Sequence, residues 1–142
     1  MSGADDFERR VRGEDAKIDL AGAALALART CYPNLDEAVY IGQLDELAAA
    51  VNFERADTDE ERLAAISTAL FSDFGLKGNA DDYYDVRNSY INEVLDRRLG
   101  IPISISLIYL EVGWRLGLKL APVSFPGHFL VRLDVGLDLP LM

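Results

Sequence analysis

Apolar residues recur every three to four positions along the first half of the chain, which predicts a row of amphipathic helices. Asp19 can cap the first, an Ala- and Leu-rich helix that runs to about Thr30 and is ended by Pro33. The second covers residues 34–51, with acidic residues near its N-terminal end, where the helix dipole favours negative charge. The third covers residues 58–75, starts with Thr and Glu in capping-box register and stops at a glycine.

The pattern becomes less regular after the third helix. A loop rich in Gly, Asn and Asp comes first, and a short helix follows over residues 88–100, with Asn88 as its cap and Gly100 as its end. Residues 101–116 are apolar on almost every side, which is typical of a helix enclosed by other elements. Pro102 suits the first turn of this helix, because its missing N–H has no helical partner there. We therefore expect this segment to be the buried centre of the fold.

Alternation typical of strands occurs near the C-terminal end. Residues 118–125 and 128–135 are short, and apolar and polar positions alternate in the second of them. Pro126-Gly127 between them predicts a hairpin or a sheet edge. The chain stops after one further apolar stretch, and we expect it to belong to a longer protein. The predicted fold class is α+β, a helical N-terminal half with a buried central helix packed on a small antiparallel sheet.

Length and charge limit the possible functions. With 142 residues, of which 50% are hydrophobic, the chain has the size of one domain. We expect a flexible leader over residues 1–17, where charges of both signs lack apolar periodicity, and one domain over 18–142 whose last strands and any repeat domain are missing. The net charge of −10 argues against nucleic acid as a partner, because it leaves little to replace counterions along a polyanion.

The chain is expected to be soluble and cytoplasmic. An apolar stretch behind arginines imitates a secretion signal, but acidic residues crowd the leading segment and Arg29 precedes Cys31, where small residues are needed. Glu111 and Arg115 interrupt the most apolar run, which is too short to span a bilayer, so no membrane partner is predicted. A single cysteine cannot form an internal disulfide, which fits a reducing compartment.

The segment "DDYYDVRNSYINEVLDRRLGIPISISLIYLEVGWRLGL", followed by "FPGHFLVRLD", resembles a bacterial transglutaminase-like family. Members of this family usually continue into tetratricopeptide repeats, and it is often called the SirB-locus family. The resemblance covers roughly residues 35–134 and is strongest over 83–134. It implies a fold similar to that of papain and the transglutaminases, in which a central helix presents a nucleophile at its N-terminus to a histidine on an adjacent strand.

The resemblance also implies positions for the catalytic residues. Transglutaminase-like enzymes typically have Gly-x-Cys at the start of that helix and a second Gly after its end. Matching these glycines to Gly100 and Gly117 places the nucleophile at Pro102, and proline cannot act as one. The histidine position falls on His128, at the start of its strand. The third member, an Asp or Asn, falls at or beyond the end of the chain, because Asp138 comes too soon.

One thiol and two hydroxyls are the remaining candidates for a nucleophile. Cys31 lies just before a Tyr-Pro pair, and we interpret it as a buried structural residue. Ser104 can form a minimal catalytic dyad with His128, or it can satisfy backbone donors at the helix start. Ser106 is interpreted as a packing residue, because it belongs to a stripe of small residues that lets the sheet approach closely: Pro102, Ser106, Gly113 and Gly117.

A binding groove is the other candidate site. Its predicted members are Pro102, Arg87, Asn88 and Arg98, near the start of the central helix. Together with Arg97, the arginines can bind an acidic or carboxylate-bearing partner, or they can form ion pairs within this acidic domain. The acidic "DDYYD" segment is interpreted as a solvated loop. One histidine without suitably spaced ligands predicts no metal site, and no cofactor is expected.

These observations predict a transglutaminase-like domain without its nucleophilic cysteine, which acts as a non-catalytic binding or regulatory module for a protein or peptide. The alternative is a hydrolase or acyl-transfer enzyme that uses Ser104 and His128, or residues beyond the C-terminus. A third possibility is a structural cap for helical repeats that follow it. The sequence predicts neither the identity of the partner nor the oligomeric state.

Overall fold

A computed structural model describes residues 19–125, 128–133 and 137–140, with side chains for residues 19–121. The predicted leader over residues 1–17 lies outside these ranges. The helices are α1 (Leu20–Ala28), α2 (Glu37–Ala49), α3 (Asp59–Ser67), a π-helix (Thr68–Asp73), a 3-10 helix (Val86–Ser89), α4 (Ile91–Arg97) and α5 (Pro102–Arg115). The strands are β1 (Lys77–Gly78), β2 (Leu99–Gly100), β3 (Leu120–Phe125), β4 (His128–Leu133) and β5 (Leu137–Pro140).

The first three helices begin at side chains that can cap them. The carboxylate of Asp19 accepts a hydrogen bond from the N–H of Gly22 at 2.9 Å, and Asp36 caps α2 in a similar way. Thr58 and Glu61 form a reciprocal capping box on α3, with side-chain to backbone N–H contacts of 3.1 and 3.2 Å. The predicted caps of the first and third helices are therefore confirmed.

The third predicted helix continues past α3 with a wider turn. Over Thr68–Asp73 the backbone forms a π-helix, and beyond it the N–H of Phe74 bonds to the carbonyl of Ala69 at 2.9 Å. Gly75 then adopts a φ of 83°, a left-handed conformation that favours glycine, and ends the segment. The predicted stop is confirmed. The change of helix type was not predicted, because so short a segment does not reveal its period.

The helix before the central one differs from its prediction at both ends. α4 begins at Ile91 with Tyr90 as its N-cap, whereas Asn88 lies in the preceding 3-10 turn with its side chain buried. Arg98 closes the helix in a left-handed conformation, with a φ of 60° and a ψ of 30°. The predictions that Asn88 caps the helix and that Gly100 ends it were wrong: Asn88 binds the preceding loop, and Gly100 belongs to β2.

The central helix α5 is enclosed, as its apolar pattern predicts. Pro102 occupies its first position, and α1, α2, α3 and α4 all pack against it. Ile103 near its start is half exposed. The large apolar side chains that α5 contributes to the core are exposed by 4% or less: Ile105, Ile108, Tyr109, Leu110 and Val112. In the described ranges, no helix has the length and apolar character needed to cross a membrane.

Gly113 allows the hairpin to approach α5 closely. A Cβ at this position would overlap Cδ1 of Leu120 and would lie 3.3 Å from its Cγ. Beside this contact, Trp114 donates its indole N–H to the carbonyl oxygen of Leu120 at 2.8 Å. Gly117 has a φ of 84° and reverses the chain, and the N–H of Leu118 bonds back to Gly113 at 3.0 Å. Close packing of a small residue is thus confirmed at Gly113, whereas Gly117 serves the turn.

Two small sheets complete the fold. β3, β4 and β5 form an antiparallel sheet in that order, with Leu120 opposite Leu133 and Phe125 opposite His128, and both β3 and β4 pack on α5. The predicted hairpin is confirmed. β1 and β2 form a separate parallel pair of two residues each, which was not predicted because such short strands show no alternation. A largely helical chain with a small sheet agrees with the predicted α+β class.

Candidate functional site

Asn88 holds the loop between β1 and α4 in place beneath the start of the central helix. Its side chain is fully buried. Its amide nitrogen donates to the carbonyl oxygens of Asp82 at 2.9 Å and Tyr83 at 3.0 Å, and its amide oxygen accepts from Nδ2 of Asn79 at 3.1 Å. Both amide protons are therefore used. Any part that Asn88 has in binding is as a positioning residue, because its side chain does not reach the surface.

Ser104 links this loop to α5. Its hydroxyl donates to the carbonyl oxygen of Asn88 at 2.7 Å and accepts from the N–H of Ile101 at 3.0 Å, and the residue is buried. The predicted role in satisfying a backbone donor at the helix start is confirmed. Because a hydroxyl has a single proton, Ser104 in this arrangement donates to a carbonyl oxygen rather than to a catalytic base.

A side-chain hydrogen bond joins Ser106 to the backbone of Pro102, one turn earlier in α5. Oγ of Ser106 donates to the carbonyl oxygen of Pro102 at 2.6 Å, and Ser106 is fully buried. A bond of this kind, to the carbonyl four residues back, is common for serines inside helices. The interpretation of Ser106 as a packing residue is confirmed.

His128 is the first residue of β4 and lies opposite Phe125 at the closed end of the hairpin. Its side chain is outside the described residues, so its pairing with Ser104 stays a prediction. Asp138 lies on β5 opposite Arg132, four residues along β4 from His128. With a rise of about 3.4 Å per residue, Arg132 lies about 14 Å along the strand from His128. Because the side chains of both residues lie outside the described ones, the place of Asp138 relative to a triad with His128 stays a prediction.

The predicted groove arginines have different surroundings. Asp85 accepts from Nη2 of Arg87 at 2.5 Å and lies 3.6 Å from Nη2 of Arg97, so both of these arginines are engaged within the domain. Hydrogen bonds from Arg87 lower the pKa of Asp85 to about 2. Arg98 lies elsewhere, with its guanidinium 4.5 Å from the ring centre of Phe74 and one N–H on the carbonyl oxygen of Phe74. Whether this set binds a partner stays a prediction.

Arg98 and Phe74 line a shallow depression of about 470 Å³ on the surface of the helical half. Its wall combines carboxylates, an amide and apolar side chains, and the residues around it are Gln43, Glu46, Leu47, Phe74, Leu95, Asp96 and Arg98. Tyr40 donates to the carboxylate of Asp96 at 2.8 Å. Burial, followed by this hydrogen bond, raises the pKa of Tyr40 to about 12.

Cys31 is exposed, so its interpretation as a buried residue was wrong. Its sulfur lies 3.0 Å from the hydroxyl of Tyr90. The ring of Tyr90 packs edge-on against Tyr32, with centroids 5.6 Å apart. The sequence predicted that the first helix runs to about Thr30, but α1 ends at Ala28. The thiol therefore lies in the turn that follows, where a small side chain need not be buried. This turn packs against the start of α4 instead of entering the core.

Sequence reasoning missed two residues that shape the site. Asn79 completes the buried amide pair with Asn88, and Asp85 binds Arg87 and Arg97. Their signal was present as an Asn and an Asp in the loop, but both types are ordinary in solvated loops. Within the described residues, no group of three His, Cys, Asp or Glu side chains could hold a metal ion.

The buried helix α5 begins beside a fastened loop and packs on an antiparallel sheet, with a histidine at the start of the second strand. This arrangement agrees with the fold that the resemblance to transglutaminase-like proteins implies. The family model described as "Transglutaminase-like superfamily" matches residues 38–140, from α2 to β5. The chain belongs to this superfamily.

Curated relatives match over most of the chain. A UPF0162 protein of Xylella fastidiosa (strain Temecula1 / ATCC 700964) is 46% identical over 128 residues, which are 86% of this chain and 44% of the relative. A UPF0162 protein of Vibrio cholerae serotype O1 is 33% identical over 128 residues, 87% of this chain and 47% of the relative. The chain therefore spans less than half the length of these two relatives.

A shorter match joins the chain to a eukaryotic protein. F-box only protein 21 of Mus musculus is 53% identical over 76 residues, 54% of this chain and 12% of that protein. The high identity over a small share of a much longer protein indicates a shared segment within different contexts. No solved structure matches the chain.

Proposed function

We propose that this domain is a non-catalytic binding or regulatory module, built on a transglutaminase-like fold and directed at a protein or peptide. The observation that supports it most is the start of α5: Pro102 occupies the first helical position, where the family resemblance places a nucleophile, and proline has neither a thiol nor a hydroxyl. The exposed Cys31, the one thiol in the sequence, belongs to a turn after α1 and contacts Tyr90 rather than the start of α5.

The hydrogen bonds of Ser104 support the same proposal. A serine nucleophile must donate a hydrogen bond to a base that can take its proton, whereas the Ser104 hydroxyl donates to the carbonyl oxygen of Asn88 at 2.7 Å. Turning the hydroxyl towards His128 would leave that buried carbonyl without its donor and would cost stability. A serine that fastens a loop to a helix is a structural residue.

The groove between the start of α5 and the start of β4 is the proposed binding surface. The hairpin contacts α5 near Gly113, where Leu120 packs. From Leu120 to Phe125 the strand extends about 17 Å, and from Gly113 back to Pro102 the helix extends about 16 Å. If β3 returns along the helix, these lengths bring His128, opposite Phe125, level with Pro102.

The proposal also covers the rest of the longer protein to which this domain is expected to belong. The chain spans less than half the length of its UPF0162 relatives, which leaves room for a further domain. We infer that the full-length protein is cytoplasmic and continues into tetratricopeptide repeats, as the family resemblance implies. The module would then lie next to a second surface for protein contacts.

The test uses the full-length protein and three variants: Ser104→Ala, His128→Ala and Ser106→Ala. We expect no turnover of glutamine-containing peptides or simple esters in the wild type. Ser106→Ala is the matched control, because it removes another buried hydroxyl that bonds to the backbone of α5. Circular dichroism confirms that each variant is folded.

The same variants are tested against a protein captured by the wild type and then purified. His128→Ala should weaken this complex by an amount typical of one contact, on the order of 1–2 kcal/mol, and Ser104→Ala should weaken it less. Turnover that Ser106→Ala keeps and that both Ser104→Ala and His128→Ala abolish would refute the module and establish the enzyme, since members of one catalytic unit fail together.

A further inference from the structure

The loop that Asn88 fastens displays apolar side chains to solvent. Tyr84 is 89% exposed, Val86 70% and Tyr83 53%. Among the described side chains, three of the six large exposed hydrophobic residues lie on this one loop. The two tyrosine rings contact each other edge to face, with centroids 5.3 Å apart. Because Tyr84 is 89% exposed beside this contact, it still presents an open ring face to solvent. Scattered apolar residues are normal on a surface, but a group on one short loop marks a contact surface.

The loop is held in one shape from below. Asn88 donates to the carbonyl oxygens of Asp82 and Tyr83, and Asn79 accepts from the N–H of Asp82 at 3.1 Å. The N–H of Asp85 adds a turn contact to the carbonyl of Asp82 at 3.3 Å. Because these bonds involve buried amides, the tyrosines are displayed without a large cost of ordering the loop when a partner binds.

The loop has a net negative charge, because residues 81–87 contain three aspartates and one arginine. Asp81 and Asp82 are exposed, and neither takes part in an ion pair within the described residues. The positive charge of Arg87 is already matched, because its guanidinium bonds both carboxylate oxygens of Asp85. The whole chain has a net charge of −10, so its surface as a whole favours a basic partner over an acidic one.

We propose that this tyrosine loop, residues 81–86, binds an arginine-bearing segment of a protein partner. The open face of Tyr84 accepts the guanidinium plane, and the carboxylates of Asp81 and Asp82 pair with its N–H groups. Arginine fits better than lysine, because a planar guanidinium stacks on an aromatic ring and pairs with a carboxylate at the same time. The inference rests on the proposed binding function and specifies the chemistry of its partner.

The experiment measures fluorescence anisotropy with the full-length protein and a short labelled Gly-Arg repeat peptide. Matched peptides replace arginine by citrulline, a neutral group of similar shape, by lysine, or by glutamate. We expect the arginine peptide to bind most tightly, the lysine peptide more weakly, and the citrulline and glutamate peptides not to bind. Absence of arginine-peptide binding, or equal binding of the citrulline peptide, would overturn the proposal.

Two loop variants and one control separate this site from general charge attraction. Tyr84→Ala removes a side chain that contacts little else, and should weaken arginine binding about two- to fivefold. Asp81→Asn/Asp82→Asn should weaken it by a similar factor. Glu54→Gln/Asp57→Asn removes the same charge from another exposed loop and should change binding little. Equal losses in the two charge variants, or none with Tyr84→Ala, would overturn the proposal.

Sedimentation of the wild type and of Tyr84→Ala tests whether the loop binds a second copy of the chain instead of an arginine-bearing partner. If the wild type is a dimer that Tyr84→Ala dissociates, the loop binds a second copy of the chain and the proposal is wrong. The proposed function fails differently, because turnover that Ser106→Ala keeps and that both Ser104→Ala and His128→Ala abolish would refute the module even with arginine binding intact. If no variant shows turnover and the arginine peptide binds no better than the citrulline peptide, only the proposed arginine-bearing partner is refuted, and the binding module is not.

Discussion

Asn88 shows at the residue scale how the same side chain can serve different purposes. Its position before a helix predicted an N-cap, yet its amide is fully buried and holds the carbonyl oxygens of Asp82 and Tyr83. An asparagine is suited to both tasks, because it is short and has donors and an acceptor. Sequence spacing therefore drew attention to Asn88, but its role as a loop-binding residue depends on how the loop of Asp82 and Tyr83 folds over it.

Asp85 leads to a prediction about pH. Hydrogen bonds from the guanidinium and from the backbone N–H of Arg87 hold the pKa of Asp85 at about 2, below its ordinary value of 3.8. Arg87→Ala should raise the pKa of Asp85 towards 3.8, and Arg97→Ala should raise it less, because Arg97 lies 3.6 Å away. Carboxyl carbon shifts in an NMR titration measure both changes.

The sign of the effect on stability follows from the lowered pKa. Asp85 releases its proton more readily in the folded protein, so its contribution is complete above the unfolded pKa and is lost as pH falls towards 2. Arg87 is half exposed, so solvent screens the pair and its contribution to stability is small. A wild-type Asp85 that titrates near 3.8 would show that the ion pair does not form in solution.

At the scale of elements, strong local signals were predictive and short elements were not. Caps at Asp19 and Thr58 and the proline at the start of α5 are local features, and the structure confirms them. The β1–β2 pair depends on contacts between distant parts of the chain, since Lys77 bonds to Arg98 and Asn79 to Gly100. No window of sequence around either strand contains that information. The π-helix was missed for another reason, because six residues are too few to reveal their period.

Gly113 and Gly42 allow a prediction in which the same substitution, glycine to alanine, changes the stability of the domain in opposite directions. Both Gly113 and Gly42 lie in α-helices, where alanine is intrinsically better than glycine by about 1 kcal/mol. Gly42→Ala should stabilise the domain by roughly that amount, because a Cβ there meets nothing within 4 Å. Gly113→Ala should destabilise it by about 1–3 kcal/mol, because its Cβ overlaps the buried Leu120.

Chemical denaturation of both glycine variants measures the two effects. Gly113→Ala/Leu120→Val tests the cause, because shortening the side chain that the new Cβ meets should recover part of the loss. If Gly113→Ala proved as stable as Gly42→Ala, the hairpin would not pack closely against α5 in solution. The prediction would then be wrong together with the proposed position of His128.

At the scale of the molecule, the family fold was more predictable than the function. The long apolar segment of α5 and the alternation in β4 were enough to place a central helix beside a hairpin, and residues 38–140 match the superfamily. The function of the site was harder to predict, because it depends on which hydroxyls and amides are already hydrogen-bonded within the protein. Ser104 illustrates this, because its sequence position was compatible with a nucleophile and its hydrogen bonds favour a fastening role.

Glu111 and Arg115 together connect α5 to α1 and α2. Glu111 is buried, accepts the N–H of Ala21 near the start of α1 at 2.7 Å, and pairs with Arg115 at 2.6 Å. Arg115 in turn pairs with Asp45 of α2 at 2.7 Å. A carboxylate at the N-terminal end of α1 also interacts favourably with the helix dipole. The first helix is therefore attached to the central helix by a buried charge as well as by apolar packing.

Glu111→Ala should cost about 2–4 kcal/mol, because it leaves the backbone N–H of Ala21 without its acceptor and removes one of the two carboxylates that bind the partly buried guanidinium of Arg115. Asp45→Ala is the control: it removes the exposed end of the same network and should cost no more than about 1 kcal/mol. Denaturant unfolding gives the two free energies, and hydrogen exchange locates the effect. We expect the N–H of Ala21 to lose protection in Glu111→Ala at a lower free energy than the amides of Ile108 and Leu110, because α1 separates from α5 before the core opens. Equal costs for the two variants would show that the buried contact with α1 adds nothing, and that apolar packing alone holds the first helix to the central one.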